Sequence, residues 1–157
     1  MAPADIQPMT LQTRVESAMR DAMRARDQLR TSTLRLAMAA AHNRQIELGR
    51  QLSDDDMVDV LGKQLKQRRE SVEQFRAGGR EEQARTEEAE AAILAEFLPE
   101  QMGADELEAA VAQAVAETGA STPAEMGRVM GALMPRIKGR ADGKAVSEAV
   151  RRHLGAT

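Results

Sequence analysis

The chain has 157 residues, a net charge of −3, 42% apolar residues and no cysteine. That length suits one ordinary domain or two small ones, and the missing cysteine excludes a disulfide framework, a thiolate nucleophile and any Cys-ligated zinc or iron–sulfur centre. Two Phe and no Tyr or Trp leave a core of Leu, Val, Ile, Met and Ala, which suits close helix packing; no alternating β-branched or aromatic run speaks for a sheet.

The first residues, MAPADIQPM, have neither a basic start nor a long apolar run, so they read as a short disordered lead rather than a signal peptide. A helix is predicted from near Pro8 to Thr10, with Leu11, Val15, Ala18, Met19 and Ala22 on one stripe. A weakly marked break near Asp27 precedes a second helix using Leu29, Thr33, Leu36, Ala37, Ala40 and Ala41, running towards Ile46 and stopping at Gly49. Its stretch LRLAMAAA is too short to span a membrane. Ser53 caps a third helix, with Asp56 at the capping-box position and three successive Asp where the helix dipole favours negative charge. Met57, Leu61, Leu65, Val72 and Phe75 form its apolar face, and Gly78 and Gly79 end it. On the same helix Lys66, Arg68 and Arg69 with Glu70 and Glu73 read as a charge-laced surface. A fourth helix runs from about Arg80 to Phe97, with Ala84, Ala91, Leu94, Ala95 and Leu98 inward and Glu87, Glu88 and Glu90 on a solvated face. A carboxylate metal site is the sharper alternative for those three, but no Glu-x-x-His pair accompanies them.

Pro99 marks a boundary, giving an N-terminal bundle of longer helices over residues 1–98 and a small three-helix domain over residues 99–157. The second part begins with a helix from Ala104 to Thr118, with Leu107, Val111, Ala114 and Val115 inward. Thr122, Pro123 and Glu125 are three agreeing start signals for the next helix, whose apolar face is Met126, Val129, Met130 and Leu133 and which Pro135 ends or closes. Asp142 caps a last helix that buries Val146, Val150 and Leu154. The fold class is all-α.

Charge is unevenly spread. Residues 96–117 carry six acids and no Lys or Arg, whereas residues 128–152 carry seven bases against Asp142 and Glu148. Arg128, Arg136, Lys138, Arg140 and Lys144 supply charge and reach for phosphates. Gly139 and Gly143 allow positive φ or close backbone approach in the loop that Asp142 completes; a merely solvated basic loop is the plain alternative. Gly127 and Gly131 lie four apart inside a helix, where each costs about 1 kcal/mol relative to Ala. They serve either a close helix crossing or a backbone surface kept open for a partner. They are not a phosphate-cradling loop, since no strand precedes them and no Gly-Lys-Ser/Thr follows. His42 and His153 form no ligand spacing, and no nucleophile–base set is visible.

Three segments are distinctive: LKQRRESVEQF at 65–75 followed by AGGR at 77–80, EFLPEQM at 96–102, and EMGRVMGALMPRIKGRADGK at 125–144. Together they closely resemble the YqeY-like proteins of bacteria, in the GatB/YqeY family, over about residues 11–154. The resemblance implies an N-terminal helical bundle followed by a small three-helix domain. It also implies kinship with the C-terminal tail domain of the tRNA-dependent glutamine amidotransferase, a domain associated with tRNA recognition. In that enzyme the chemistry lies in parts this chain lacks, so a label of carbon–nitrogen ligase with glutamine as amido-N-donor describes the larger enzyme. Where the amidotransferase tail commonly has Asn-Pro, this chain has Asp142 and Gly143, the form of the stand-alone branch. The expectation is a cytoplasmic, non-catalytic module with no cofactor, metal or membrane. Its partners would be tRNA, an aminoacyl-tRNA synthetase or a component of the amidotransferase; the alternative is a protein-interaction adaptor that binds no nucleic acid.

Overall fold

The computed structural model describes residues 9–155, and among these all regular structure is helical. The reading of the first eight residues lies outside them. The helices are α1 (Leu11–Arg24), α2 (Gln28–Leu48), α3 (Asp54–Ala77), α4 (Glu81–Ala95), α5 (Ala104–Thr118), α6 (Met126–Ile137) and α7 (Gly143–His153), with one 3-10 turn at Pro123–Glu125. They fall into two compact units, Met1–Leu98 and Pro99–Thr157.

In the N-terminal unit, local chemistry sets each helix end. The Thr10 hydroxyl accepts from the amide of Thr13 at 3.2 Å, starting α1. Asp27 does the same for α2, accepting from the Arg30 amide at 3.0 Å. Between them Arg26 sits at φ 57°, a left-handed position usually left to glycine, which is why the sequence marks this break only weakly. Ser53 and Asp56 close a full capping box, the Ser53 amide donating to Asp56 at 2.8 Å and the Asp56 amide donating to the Ser53 hydroxyl at 3.1 Å. Arg50 lies 2.6 Å from the same carboxylate. Its hydrogen bond, with that from the Ser53 backbone, holds Asp56 well below the usual carboxylate range. Asp54 accepts from the first amide of α1, Leu11, at 2.9 Å, so one acidic turn fastens two helix starts.

The core of this unit joins Leu11 and Val15 of α1, Leu34, Ala37 and Ala41 of α2, Met57, Leu61 and Leu65 of α3, and Leu94 of α4. Two expectations change here. The apolar pattern of α2 puts Leu36 inward and runs on towards Ile46, but both are exposed, and Leu34 is buried instead. Apolar residues surround α2 on all sides, so the pattern does not fix its rotation; packing of the small Ala37 and Ala41 does. The second change concerns Arg68, Glu87 and Glu90, which the sequence places on solvated faces. Arg68 Nε lies 2.7 Å from Glu90 Oε2 and 3.7 Å from Glu87 Oε2, joining α3 to α4 through side chains mostly shielded from water. Burial and the neighbouring charge of Glu87 push the Glu90 carboxyl above its ordinary value, against the pull of Arg68.

The C-terminal unit packs α5, α6 and α7 around Val111, Ala114, Val129, Leu133, Ile137, Val146, Ala149, Val150 and Leu154. Gly119, at φ 68°, terminates α5. The box of Thr122 and Glu125 forms as the spacing predicts, but it opens a 3-10 turn that leads into α6. Of the two readings of Pro135 the second holds: it lies in the last turn of α6, which continues to Ile137.

Candidate functional site

The basic segment expected to contact phosphates begins on α6 and ends in α7. Much of its charge is already engaged. Arg128 meets Glu125 at 2.7 Å, Arg136 meets Glu117 at 2.6 Å and Arg140 meets Glu106 at 2.7 Å. Arg152 and His153 both reach Glu108, the latter at 2.7 Å. Three of these pairs, Arg136–Glu117, Arg140–Glu106 and Arg152–Glu108, join the basic 128–152 stretch to the acidic 96–117 stretch, whereas Arg128 takes Glu125 outside it. The charge-assisted bonds hold Glu117 low, through Arg136 first and then Gln113. Glu108 is held low through Arg152 and then His153. Glu125 is low because the amides of Ser121 and Thr122 donate to it.

Arg140 is the most constrained. Its Nε donates to the carbonyl of Glu100 at 2.8 Å, and its own carbonyl accepts from the Met102 amide at 2.8 Å. Gln101 completes the fastening, its side-chain amide donating to the carbonyls of Gly139 at 2.6 Å and Pro99 at 2.9 Å. Gly139 adopts φ 76°, so its conformational freedom is used; Gly143 has no positive φ and simply opens α7. Arg140 and Gly139 are therefore parts of a stitched loop. No sequence signal marks Gln101 and Glu106 as its fasteners. The EFLPEQM segment stands out in the sequence, but nothing there says that it bonds the KGRAD segment some 40 positions away.

Other residues reach further into solvent. Lys144 lies exposed in the first turn of α7, and Lys138 is exposed at the end of α6. Asp142 caps α7, its carboxylate accepting from the Lys144 amide at 3.4 Å, so an anion approaching this helix start meets a carboxylate and must be held by side chains. Gly127 and Gly131 are both exposed, and a Cβ added to either meets no atom within 4 Å. The close-crossing reading is therefore corrected: no neighbouring helix presses on them, and both lie on an exposed face of α6. Helical period places Gly127, Gly131, Pro135 and Lys138 along one face, with Arg128 beside them, and α6 itself carries no Asp or Glu. Pro135 has no N–H to give to the carbonyl one turn back, that of Gly131. The face is thus bare backbone edged with positive charge.

Among the described residues no group of His, Cys, Asp or Glu is arranged to hold a metal ion, and no helix is long and apolar enough to cross a membrane. His42 is exposed on α2.

Two helical units, the second built around a stitched glycine-containing loop and a glycine-faced helix, define a class of small all-α modules. The family model described as Yqey-like protein matches residues 12–154, and the chain belongs to that family. It is similar to a protein of Lachancea thermotolerans named "Altered inheritance of mitochondria protein 41, mitochondrial", 31% identical over 91 residues, covering 57% of this chain and 49% of the relative. It is also similar to "Uncharacterized protein C22F3.15" of Schizosaccharomyces pombe, 31% identical over 90 residues, covering 57% of this chain and 73% of the relative. The match thus spans about half the length of the first of these relatives and nearly three quarters of the second.

Proposed function

We propose that this chain is a non-catalytic binding module whose C-terminal unit contacts tRNA, in the service of amidotransferase or aminoacylation machinery. The observation that supports this most directly is the bare face of α6. Two adjacent-turn glycines with nothing packed on them let a sugar–phosphate chain approach the helix backbone; Lys138 lies on the same helical face, Arg128, itself paired with Glu125, lies beside it, and Lys144 is exposed in the first turn of α7. With only two Phe in the whole chain, base stacking contributes little. Contact is with the backbone of the nucleic acid and depends on salt.

The test is binding of the full chain to total cellular tRNA at low and moderate salt, with Lys138→Glu and Lys144→Glu as variants. Arg140 is avoided because its reversal breaks the stitched loop. The expected result is binding that weakens steeply with salt and weakens further in both variants. Absence of binding at low salt, or binding indifferent to salt and to both reversals, overturns the reading.

A further inference from the structure

Pro135 leaves one backbone acceptor of α6 without its α-helical donor. In an unbroken helix the amide of residue 135 donates to the carbonyl of residue 131, and proline has no such amide. The helix nevertheless runs through Pro135 to Ile137, so the missing donor lies inside it rather than beyond its end. Gly131 and Pro135 are both exposed. Gly131 has no side chain to screen its own carbonyl, and a Cβ added there meets nothing within 4 Å. The carbonyl is therefore open to a donor arriving from outside the chain.

The surroundings say which part of a nucleic acid can supply that donor. α6 carries no Asp or Glu. Lys138 follows Gly131 on the same face, about 10 Å further along the axis, and Arg128 lies beside it. Phosphates are attracted to these cations, but their oxygens only accept and so gain nothing from the carbonyl. Donor groups of the bases are engaged in pairing wherever the strand is in a stem. With only two Phe in the chain, no aromatic platform draws unpaired bases out. The ribose 2′-hydroxyl remains. It can donate, it lies beside a phosphate at every nucleotide, and DNA lacks it.

We infer that the Gly131 carbonyl accepts a hydrogen bond from a ribose 2′-hydroxyl, so that the α6 face selects RNA over DNA by this bond. The inference rests on the reading of that face as the tRNA contact. It assigns Pro135 a role in recognition: by withholding an amide, it keeps the acceptor vacant for the sugar.

One synthetic tRNA, made once with 2′-hydroxyl and once with 2′-fluoro riboses throughout, tests it. Fluorine keeps the A-form sugar pucker and donates no hydrogen bond. The full chain is titrated with both forms and compared with Pro135→Ala, which returns an amide to the Gly131 carbonyl and, alanine being the better helix former, keeps α6 folded. The natural chain should prefer the hydroxyl form by roughly threefold to tenfold, the range of one net hydrogen bond. In Pro135→Ala that preference should fall by the same factor, with affinity for the fluoro form unchanged; a variant damaged in structure would lose both. Lys138→Glu should weaken both forms alike. Equal, salt-sensitive binding of the two forms by the natural chain overturns the inference and leaves the tRNA contact standing. A preference that persists undiminished in Pro135→Ala places the hydroxyl contact elsewhere and also overturns it. Binding of neither form at low salt overturns the inference together with the reading beneath it.

Discussion

Replacing Gly127 and Gly131 by Ala tests the bare face of α6 most sharply, because stability and binding should move in opposite directions. Neither glycine has a positive φ, and an added methyl meets no atom within 4 Å. The substitutions therefore remove only the backbone entropy that glycine loses in a helix, about 0.8–1.0 kcal/mol at an interior position. Gly131 is interior and gains most of this; Gly127 lies in the first turn of α6 and gains less. The pair should stabilise the C-terminal unit by about 1.5 kcal/mol, which for a unit of about 60 residues raises its melting temperature by about 6–12 °C. Thermal unfolding of the full chain followed by far-ultraviolet circular dichroism reads this directly. The same methyl groups stand where a sugar–phosphate chain would approach, so tRNA affinity should fall about tenfold. Unchanged or lowered stability would refute the claim that the face is free of packing. Raised stability with undiminished tRNA affinity would refute its role as the contact surface.

Four further outcomes follow from the described contacts. Gln101→Ala removes the bonds to Gly139 and Pro99 and should destabilise the C-terminal unit by about 1–2 kcal/mol in urea unfolding; no change would mean that the stitch carries no net stability. Ser53→Ala removes the cap of α3 and should cost about 1 kcal/mol, read from the N-terminal unit's transition. Arg26→Gly relieves a left-handed backbone and should stabilise by up to about 1 kcal/mol after glycine's greater unfolded entropy is deducted, while a loss would show that the Arg26 side chain contributes more than its strain. Glu90 has a raised native pKa, so its protonated form favours folding. That contribution is complete below the ordinary glutamate range and is lost as pH rises through the elevated native value. Glu90→Gln should therefore be more stable than the natural chain at neutral pH, with the difference closing as both are acidified; a difference that grows on acidification would reverse the sign of the argument.

Where the chain starts and stops its helices is legible wherever a local hydrogen bond decides it. Ser53 with Asp56, Thr122 with Glu125, and Asp142 all cap as their spacing predicts. Rotation of a helix about its axis is less legible. On α1 and α7 one apolar face is unambiguous, but on α2 apolar residues occur all round, and the pattern assigns Leu36 inward where Leu34 belongs. Pairings between distant segments are not legible at all. The chain displays its acids at 96–117 and its bases at 128–152, but not that Glu117 meets Arg136 or that Arg140 holds Glu100 and Glu106. Nor does the sequence reveal that Arg68 crosses to Glu90, because that contact depends on how the α3–α4 hairpin closes. For the candidate interface, composition marks only the basic stretch of residues 128–144. It does not separate residues that bind the loop together from those that face outward, since both kinds are basic.

Helix α6 has a temporal property as well as a spatial one. Two of its residues are the poorest helix formers short of proline, and Pro135 within it breaks the run of backbone donors, so its twelve residues are held chiefly by Val129, Leu133 and Ile137 on their inner side. Such a segment opens locally more often than a neighbour like α5, which is rich in Ala and lacks interior glycine and proline. Its amides should exchange with solvent sooner than those of α5 at the same pH and temperature. A ligand that closes over the bare face would slow that exchange, and the protection would mark the contact helix without any substitution in the chain.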